Sequence, residues 1–545
     1  MKFFNIEYNC DKKLEILLKI ISVISCPFYT LLISNRYLEL DIILSMTLSF
    51  IIFLIISVKI LKIKKINIYK LILSIIFYIT YIIELYKFSY RNIYFFKPIV
   101  PIIKDLYNIE LSRRGLYFII SILAFPFTIL IIYKFIDFII SKIKIFFASL
   151  SKIEKKYLVI FTFLSLIISI FITTNTTAFT FPIYNSSNAY CDVIYTADSG
   201  MLLKGNGYVN ASFMENDIRQ PLFGIFALPF SLPALLVSNV LKIFSITNGY
   251  YIILMIIQFT ILAITTIMLS RMLDISEHEK KYFYLLTSVS FPYMLFSMVL
   301  EQYAIALFYL VLLIYNYYNN KDKTNYAYVG AVGTLLTSGI LFPLISNIKN
   351  IKNYLINVLK CFILFISVLI IGGQFPQVVN APNTFTHLIG DFTTKVTLIE
   401  KIFQFTHFVK EIFIASPGII KFTTFPSYQL INFNSVSIIG IVIILICIIS
   451  FVLNRDKYIA RICFSWVIFS ILILLIIGWG TSENGLVLYS LYFAFAYLIL
   501  YFLFIKRVFK NKMLYKSIIV LSSIIMFIFN IKEIISIISF GLKYY

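Results

Sequence analysis

Apolar runs separated by short polar stretches occupy most of the chain. An α-helix rises about 1.5 Å per residue, so about 20 apolar residues are needed to cross the hydrocarbon core of a bilayer. The pattern therefore predicts an all-α polytopic membrane protein with about 13–15 transmembrane helices, extracytoplasmic loops and juxtamembrane helices. The predicted spans are residues 16–33, 42–58, 71–85, 116–140, 157–173, 250–269, 282–300, 303–318, 326–338, 354–371, 436–453, 462–477, 486–505 and 513–529.

One further apolar stretch, residues 221–240, is interrupted by Pro221, Pro229 and Pro233. Each proline removes a helix hydrogen bond that lipid cannot replace. We therefore expect this stretch to be juxtamembrane or half-inserted instead of spanning. A second break is expected near Ser338, where the chain has to turn back in a broken or re-entrant hairpin to reach the next basic turn.

The composition agrees with a chain whose solvent is the bilayer. Only 13% of the 545 residues are charged and 60% are hydrophobic, with a mean hydropathy of +0.93. The net charge of +22 comes from basic residues in the short loops between spans. Orientation of the chain in the membrane explains this charge, so nucleic-acid binding is not needed to account for it. The same rule places residues 142–156 inside and the polar loops 174–248 and 374–433 outside; the basic stretch 87–114 is an exception, since it falls outside.

Cysteine and metal-ligand patterns exclude several classes of site. Cys26, Cys361, Cys447 and Cys463 lie in or beside apolar runs, so the cysteines do not indicate a disulfide framework. No zinc-binding spacing, nucleotide-binding loop or dinucleotide fingerprint occurs in the sequence. An activated substrate is therefore expected to arrive ready-made from the lipid.

The most specific pattern lies in the first outer loop. It reads YCDVIY at residues 190–195, AD at 197–198, MLLKGNGY at 201–208 and DIRQPL at 217–222. An acidic residue followed three positions later by tyrosine, then a Gly-Tyr ending and an Arg-x-Pro-Leu opening, resembles the first luminal loop of GT-C superfamily glycosyltransferases. The closest similarity is to mannosyltransferases that use dolichyl-phosphate-mannose and to bacterial relatives that use undecaprenyl-phosphate sugars.

Further segments extend the resemblance. The sequence LEQYAIAL at residues 300–307 is similar to the family's short outer acidic turn, and residues 330–343 look like its broken Gly/Thr-rich hairpin. The resemblance implies a GT-C-like catalytic module over residues 157–505. Residues 1–156, about four helices, would then form an added membrane module, and residues 506–545 a C-terminal helix and tail.

The implied activity is transfer of a monosaccharide from a polyprenyl-phosphate donor to an envelope glycan, lipid or protein at the extracytoplasmic face. Such a transfer needs a base for the acceptor hydroxyl and positive charge for the departing phosphate. Asp192 suits the base. The family's paired acidic residues appear here as Asp192 and Asp198, six positions apart, which leaves open which one is catalytic or whether both are needed. Arg219, through its bidentate geometry, and Lys204 are candidates for holding the phosphate.

A divalent cation, Mg²⁺ or Mn²⁺, is the one cofactor that this chemistry admits, and oxygen ligands would hold it. The acidic candidates are Asp192, Asp198 and Glu301, of which Glu301 is also a candidate for binding substrate. Tyr195 and Tyr208 are candidates for stacking on a sugar ring.

Other classes of protein share several of these features. A polysaccharide polymerase is disfavoured because residues 374–430 contain no arginine, and a transporter because no internal repeat is found. A flippase for lipid-linked glycans and a non-catalytic scaffold remain alternatives, and the scaffold predicts that Asp192 and Asp198 can be changed freely. The Ile-, Lys- and Asn-rich composition favours a bacterial cell membrane with undecaprenyl phosphate as the carrier.

Overall fold

The computed structural model of the chain describes residues 7–9, 12–33, 44, 46–54, 65–89, 104–105, 113–179, 193–195, 197, 219–319, 324–346, 350–372, 383, 386, 393, 396–422, 425–481 and 486–545. Most of these residues are helical. The helices are α1 (Lys12–Ile33), α2 (Ile68–Ser89), α3 (Arg113–Ala148), α4 (Lys152–Asn175), α5 (Phe223–Ile243), α6 (Gly249–Arg271), α7 (Glu277–Ser288), α8 (Phe291–Leu295), α9 (Tyr303–Asn319), α10 (Asn325–Thr334), α11 (Ile351–Ile371), α12 (Leu398–Glu411), α13 (Ile438–Leu453), α14 (Tyr458–Ser470), α15 (Ser490–Val508) and α16 (Lys512–Tyr544).

Shorter elements complete the described part of the chain. Leu336–Ile345 and Leu486–Tyr489 are 3-10 helices, and Ile471–Ile477 is a π-helix that continues α14. Strand β1 (Glu7–Asn9) pairs antiparallel with β2 (Lys65–Asn67). Strand β3 (Gly418–Phe422) pairs antiparallel with β4 (Pro426–Leu430), so that Gly418 lies opposite Leu430.

The prediction of an all-α polytopic membrane protein is confirmed at this level. Within the described residues, nine helices are long and apolar enough to cross a membrane. Four shorter apolar helices, of 10–17 residues, lie between them in the sequence. The larger total expected from the sequence stays a prediction.

Pro229 and Pro233 do not interrupt the helix that forms over residues 221–240, and its juxtamembrane or half-inserted placement stays a prediction. Helix α5 is continuous from Phe223 to Ile243 with Pro229 and Pro233 inside it, and it has the length and composition of a membrane span. The two prolines are four residues apart and so lie on one face of the helix. The missing backbone donors are therefore confined to that face, and the hydrogen-bond ladder of the other faces continues.

The single span predicted at residues 282–300 is also wrong. Helix α7 ends at Ser288, and a new helix, α8, begins at Phe291 with Pro292 in its first turn. A proline is well tolerated at the start of a helix but not inside one, which explains why the apolar run divides here.

The broken hairpin predicted near Ser338 is confirmed. Helix α10 ends at Thr334, Leu335 is extended, and the 3-10 helix that follows packs back along α10. The Tyr328 hydroxyl donates to the Gly339 carbonyl at 2.9 Å, and the Thr324 hydroxyl donates to the Ile345 carbonyl. The start of α10 therefore lies beside the end of the 3-10 helix.

The chain divides into two compact units. The first comprises Met1–Leu150, Gly205–Leu236 and Asp322–Pro382, and the second Ser151–Lys204, Val237–Lys321 and Asn383–Tyr545. In the first unit, α1 and α2 pack on α3. In the second, α13 and α14 pack on the buried helix α15, and α4 packs on α6. The functional modules 1–156, 157–505 and 506–545 stay a prediction.

Helix α16 defines two opposite ends of the second unit. Near the start of α16, the Tyr515 hydroxyl donates to Glu279. The first turn of α4 is at the same end, where Glu154 forms an ion pair with Arg271. At the other end of α16, the Thr177 hydroxyl that follows α4 donates to the Tyr545 carbonyl at 3.0 Å. Helices α4 and α16 are therefore parallel, and the basic residues after α6 lie at the end opposite to the C-terminus.

Candidate functional site

The residues that follow Asp192 are held on the hairpin β3–β4 of the second outer loop. The Tyr428 N–H donates to the Val193 carbonyl, and the Tyr195 N–H donates to the Tyr428 carbonyl, both at 2.8 Å. This is a short parallel pairing of Ile194 with Tyr428. The two polar loops that the sequence places on one side thus meet at one end of the second unit.

The backbone turns sharply at Tyr195. Its φ of 49° lies in the left-handed region, which a residue with a side chain occupies only at a cost. The Ala197 N–H donates to the Ile194 carbonyl at 3.0 Å and closes the turn. Such a conformation persists when surrounding contacts determine it, and here those contacts come from the Tyr195 side chain.

Three donors converge on one carboxylate oxygen, Oε1 of Glu533 in α16. The Tyr195 hydroxyl donates to it at 2.8 Å, the Tyr428 hydroxyl at 2.7 Å and the Gly418 N–H at 2.9 Å. We call these four residues the Glu533 anchor. Burial, together with the charge of Glu533, raises the pKa of both tyrosines, which keeps their hydroxyls protonated as donors. The anchor joins both outer loops to the C-terminal helix.

Packing around the anchor depends on Gly418. A Cβ added at Gly418 would lie 2.2 Å from the Tyr428 ring, so a side chain there would displace the ring. The ring of Tyr195 meets that of Tyr428 edge to face at 5.6 Å and that of Phe291 at 6.3 Å. Displacing Tyr428 would therefore disturb the whole anchor.

Asn530, which lies on α16 one helical turn before Glu533, binds the loop that follows α12. Its amide oxygen accepts from the Ala415 N–H at 2.8 Å, and its amide nitrogen donates to the Phe413 and Val289 carbonyls, each at 2.7 Å. Residues three apart on a helix lie on the same face. One face of α16 thus holds the chain on both sides of the turn that leads into β3.

Glu411, the last residue of α12, is a buried acid beside the anchor. It is 1% exposed, and its Oε1 has no hydrogen-bond partner among the described residues. Burial raises its pKa to about 7, against the opposing effects of a hydrogen bond from Ser416 and the charge of Lys410. Lys410 donates to Ser416 at 3.1 Å, and burial lowers its pKa. Glu411 therefore keeps its proton to a higher pH than an exposed glutamate does.

Arg219, the candidate phosphate ligand, belongs to the first unit. Its carbonyl accepts from the Leu336 N–H at 2.8 Å, and the Leu222 N–H donates to the Gly333 carbonyl at 2.8 Å. A Cβ on Gly333 would lie 2.8 Å from the Leu222 side chain, so only glycine permits this approach. Residues 219–222 and residues 333–336, which belong to two segments that carry the family resemblance, are thereby brought together.

Glu301 is buried beside the middle of α6, and its place in an outer turn stays a prediction. The Gln258 side chain, near the middle of α6, accepts from the Glu301 N–H at 3.2 Å and donates to the Phe296 and Val299 carbonyls at 2.6 and 2.8 Å. Glu301 is wholly buried, and its carboxylate accepts from the Gln302 N–H at 2.9 Å. The turn therefore packs beside the centre of a helix long enough to span a membrane.

Four predicted site residues, Asp192, Asp198, Lys204 and Tyr208, lie outside the described residues. The described candidate Tyr195 is 2% exposed and bonded to Glu533, so its ring packs on protein and serves as an anchor. Its role in substrate binding stays a prediction, as do the roles of Arg219 and Glu301. Among the described residues, no group of three His, Cys, Asp or Glu side chains is placed to hold a metal ion.

The sequence interpretation missed Glu533 and Glu411. It ended the last span at residue 529, whereas α16 continues to Tyr544 and places Glu533 on the same helix. An acidic residue within a continuing apolar helical pattern was the available signal, because such residues are rare in membrane helices without a role. Glu411 has no such signal, since its burial depends on tertiary contacts.

The comparisons with known proteins add no relative. No family model matches the chain, and no significant match is found among curated proteins or solved structures.

Proposed function

We propose that the protein is a membrane glycosyltransferase that moves a monosaccharide from a polyprenyl-phosphate donor to an envelope acceptor at the extracytoplasmic face. Support comes from the loop pattern at residues 190–222 and from the membrane-helical architecture. The observation that carries the proposal is the fixed position of residues 193–195, which directly follow Asp192 and are hydrogen-bonded to the second outer loop and to Glu533.

Fixing this backbone is what a transferase requires of the segment that bears its base. General-base catalysis needs the base within about 2.6–3.2 Å of the acceptor hydroxyl, and small misplacements are costly. In the proposed reaction Asp192 takes the hydroxyl proton, the acceptor oxygen bonds to the anomeric carbon, and the polyprenyl phosphate leaves with the electron pair of the broken bond. Asp198 is the alternative base or a ligand for a divalent cation.

Positive charge is needed where the phosphate departs, and Arg219 is our first candidate, with Lys204 second. The Arg219 carbonyl accepts a hydrogen bond from Leu336, at the start of the 3-10 helix that follows α10, and the Leu222 N–H donates to Gly333 at the end of α10. These two bonds hold the backbone of residues 219–222. A cofactor Mg²⁺ or Mn²⁺ remains part of the proposal, with Asp192 and Asp198 as ligands.

One observation favours a second candidate, the movement of lipid-linked glycans across the membrane. Glu301 is an acid buried beside the middle of α6, and ionisable groups at such depth commonly mark transport pathways. A flippase or transporter would need Glu301 and would tolerate neutral substitution of Asp192.

The deciding experiment measures transfer of radiolabelled sugar from a panel of polyprenyl-phosphate monosaccharides into envelope material. Membranes containing the intact protein are compared with equal amounts of Asp192→Asn, Asp198→Asn and Glu301→Gln. Glu400→Gln, an exposed change in the second outer loop, is the matched control. Loss of a base predicts a fall of about 100-fold or more in Asp192→Asn and none in the control. No transfer above empty membranes would reject the proposal, and normal transfer by Asp192→Asn would reject this base.

A further inference from the structure

Glu533 is an acid in an apolar helix, and the structure shows a specific use for it. It is 7% exposed and lies within α16, whose neighbouring turns are Ile-rich. Burying such a group is unfavourable unless its hydrogen bonds are satisfied. Its partners are the two outer loops, since Tyr195 lies 338 residues away in the sequence and Tyr428 105 residues away.

The anchor fixes position more strictly than apolar packing would. Apolar side chains tolerate small sliding, whereas three donors directed at one oxygen define a distance and a direction for each. Two of the donors belong to β3–β4 and the third to Tyr195, whose own N–H is bonded to the Tyr428 carbonyl. The backbone that follows Asp192 is therefore held by the same carboxylate that positions the hairpin.

We propose that Glu533 is a positioning residue of the transferase site: it fixes residues 193–195, which directly follow the candidate base Asp192 in the sequence, against the hairpin β3–β4. The inference rests on the proposed function, because positioning has meaning only if Asp192 acts on a substrate. Glu533 itself takes no part in proton transfer to the acceptor.

The first test measures the protection of backbone amides from exchange, and it does not depend on sugar-transfer activity. Hydrogen–deuterium exchange of the full-length protein in lipid nanodiscs is compared between the intact chain and Glu533→Gln, which keeps shape but loses a charge-assisted acceptor. Peptides covering residues 193–197 and 426–430 are expected to exchange about tenfold faster. Tyr501→Phe is the matched control, because its hydroxyl bonds to Ser522 of α16, about three helical turns before Glu533, and is not part of the Glu533 anchor. The change keeps the ring that packs on Phe413.

The second test measures sugar transfer by the same preparations. Glu533→Gln and Tyr195→Phe are expected to lower kcat about tenfold with a donor KM within about twofold of the intact protein, since the donor still binds while the base is misplaced. Both changes act on the same hydrogen bond, that between Tyr195 and Glu533. The fold-decrease of kcat in the double variant should therefore be no more than about twice that of either single variant. Tyr195→Phe, a single-atom deletion, keeps the test valid if Glu533→Gln folds poorly.

The outcomes separate this inference from the proposed function. Normal exchange and normal kcat in both variants of an active protein would overturn the positioning role and leave the transferase standing. Absence of transfer by the intact protein would overturn the transferase and this role together, even if exchange of residues 193–197 rises. Faster exchange with a selective loss of kcat supports both.

Discussion

The second unit contains buried acids at both ends, and the two ends hold them by different means. Near the start of α4, Glu154 is paired with Arg271 at 2.6 Å and with Lys280 at 2.9 Å. At the other end, roughly 27 Å along α16 from Tyr515 at 1.5 Å per residue, Glu533 accepts hydrogen bonds from two tyrosine hydroxyls and one backbone N–H. Glu154 forms direct ion pairs with two cations, whereas the three hydrogen bonds to Glu533 come from neutral donors.

This difference lies in how the two ends satisfy their buried acids. At the cationic end, Glu279 shows how completely charges are satisfied: burial alone would raise its pKa, yet hydrogen bonds from Tyr515 and Ser276 hold that pKa at about 2. At the other end, the pKa of Glu411 lies near 7. Acids that titrate near neutral pH are concentrated at functional sites, because catalysis and binding need such groups.

The largest expected effect comes from breaking the ion pairs. Glu154→Gln removes the carboxylate that pairs with Arg271 and leaves Lys280 with Glu277 alone. The Glu154 side chain is 1% exposed, that of Arg271 17% and that of Lys280 9%. We expect the free energy of unfolding to fall by about 3–5 kcal/mol. Denaturant unfolding in detergent measures it. Glu277→Gln, which removes the 48%-exposed partner of Lys280, is the control and should cost less than about 1 kcal/mol. Equal losses would contradict a structural role specific to Glu154.

A pH-dependent effect should come from Glu411. Its pKa is about 7 in the folded chain against 4.5 for the free group, so the folded state binds more protons between these values. Its contribution to stability is therefore complete below pH 4.5, declines as pH rises, and is lost above pH 7, a total on the order of 3 kcal/mol. Thermal unfolding of Glu411→Gln between pH 5 and 8 should lack this decline.

The groups that face Glu411 define the control. Lys410 and Ser416 oppose its shift, and Glu533 from α16 adds to it. Glu400 lies on the same helix, and hydrogen bonds from Thr397 lower its pKa, so its contribution is lost only as pH falls below 4.5. Glu400→Gln should keep the intact protein's decline between pH 5 and 8. A decline of the same size in Glu411→Gln would assign it to another group.

The smallest effect distinguishes the helix caps at the two ends. Ser151 caps α4 by accepting from the Glu154 N–H, and its hydroxyl also donates to Glu277. Thr397 caps α12 in the same way, and its hydroxyl donates to Glu400 of the same helix. We expect Ser151→Ala to cost about 1–2 kcal/mol and Thr397→Ala about 0.5–1 kcal/mol in unfolding free energy. A larger loss for Thr397→Ala would mean that the cationic end contributes less than its contacts indicate.

Much of the fold follows from local pattern. The helices at residues 157–173 and 250–269 were expected within a few residues of α4 and α6, because an apolar run long enough to span a bilayer has few alternatives to a helix. The hairpin after α10 was also expected, because the chain has to turn back there to reach the next basic turn. Pattern failed at α5, where two prolines on one face were tolerated, and at residues 282–300, where Pro292 started a new helix.

By itself, the sequence determined that the chain is membrane-helical and where its basic loops lie, and it supplied the loop pattern on which the proposed transferase rests. The tertiary structure alone decided that Tyr195 turns inward to Glu533, that Glu411 is buried beside it, and that Glu301 faces the middle of α6. The physical reason is range. Hydrophobic length and proline act on neighbouring residues, whereas a carboxylate's environment is set by whichever distant segments deliver its donors, and these are separated here by 105 and 338 residues.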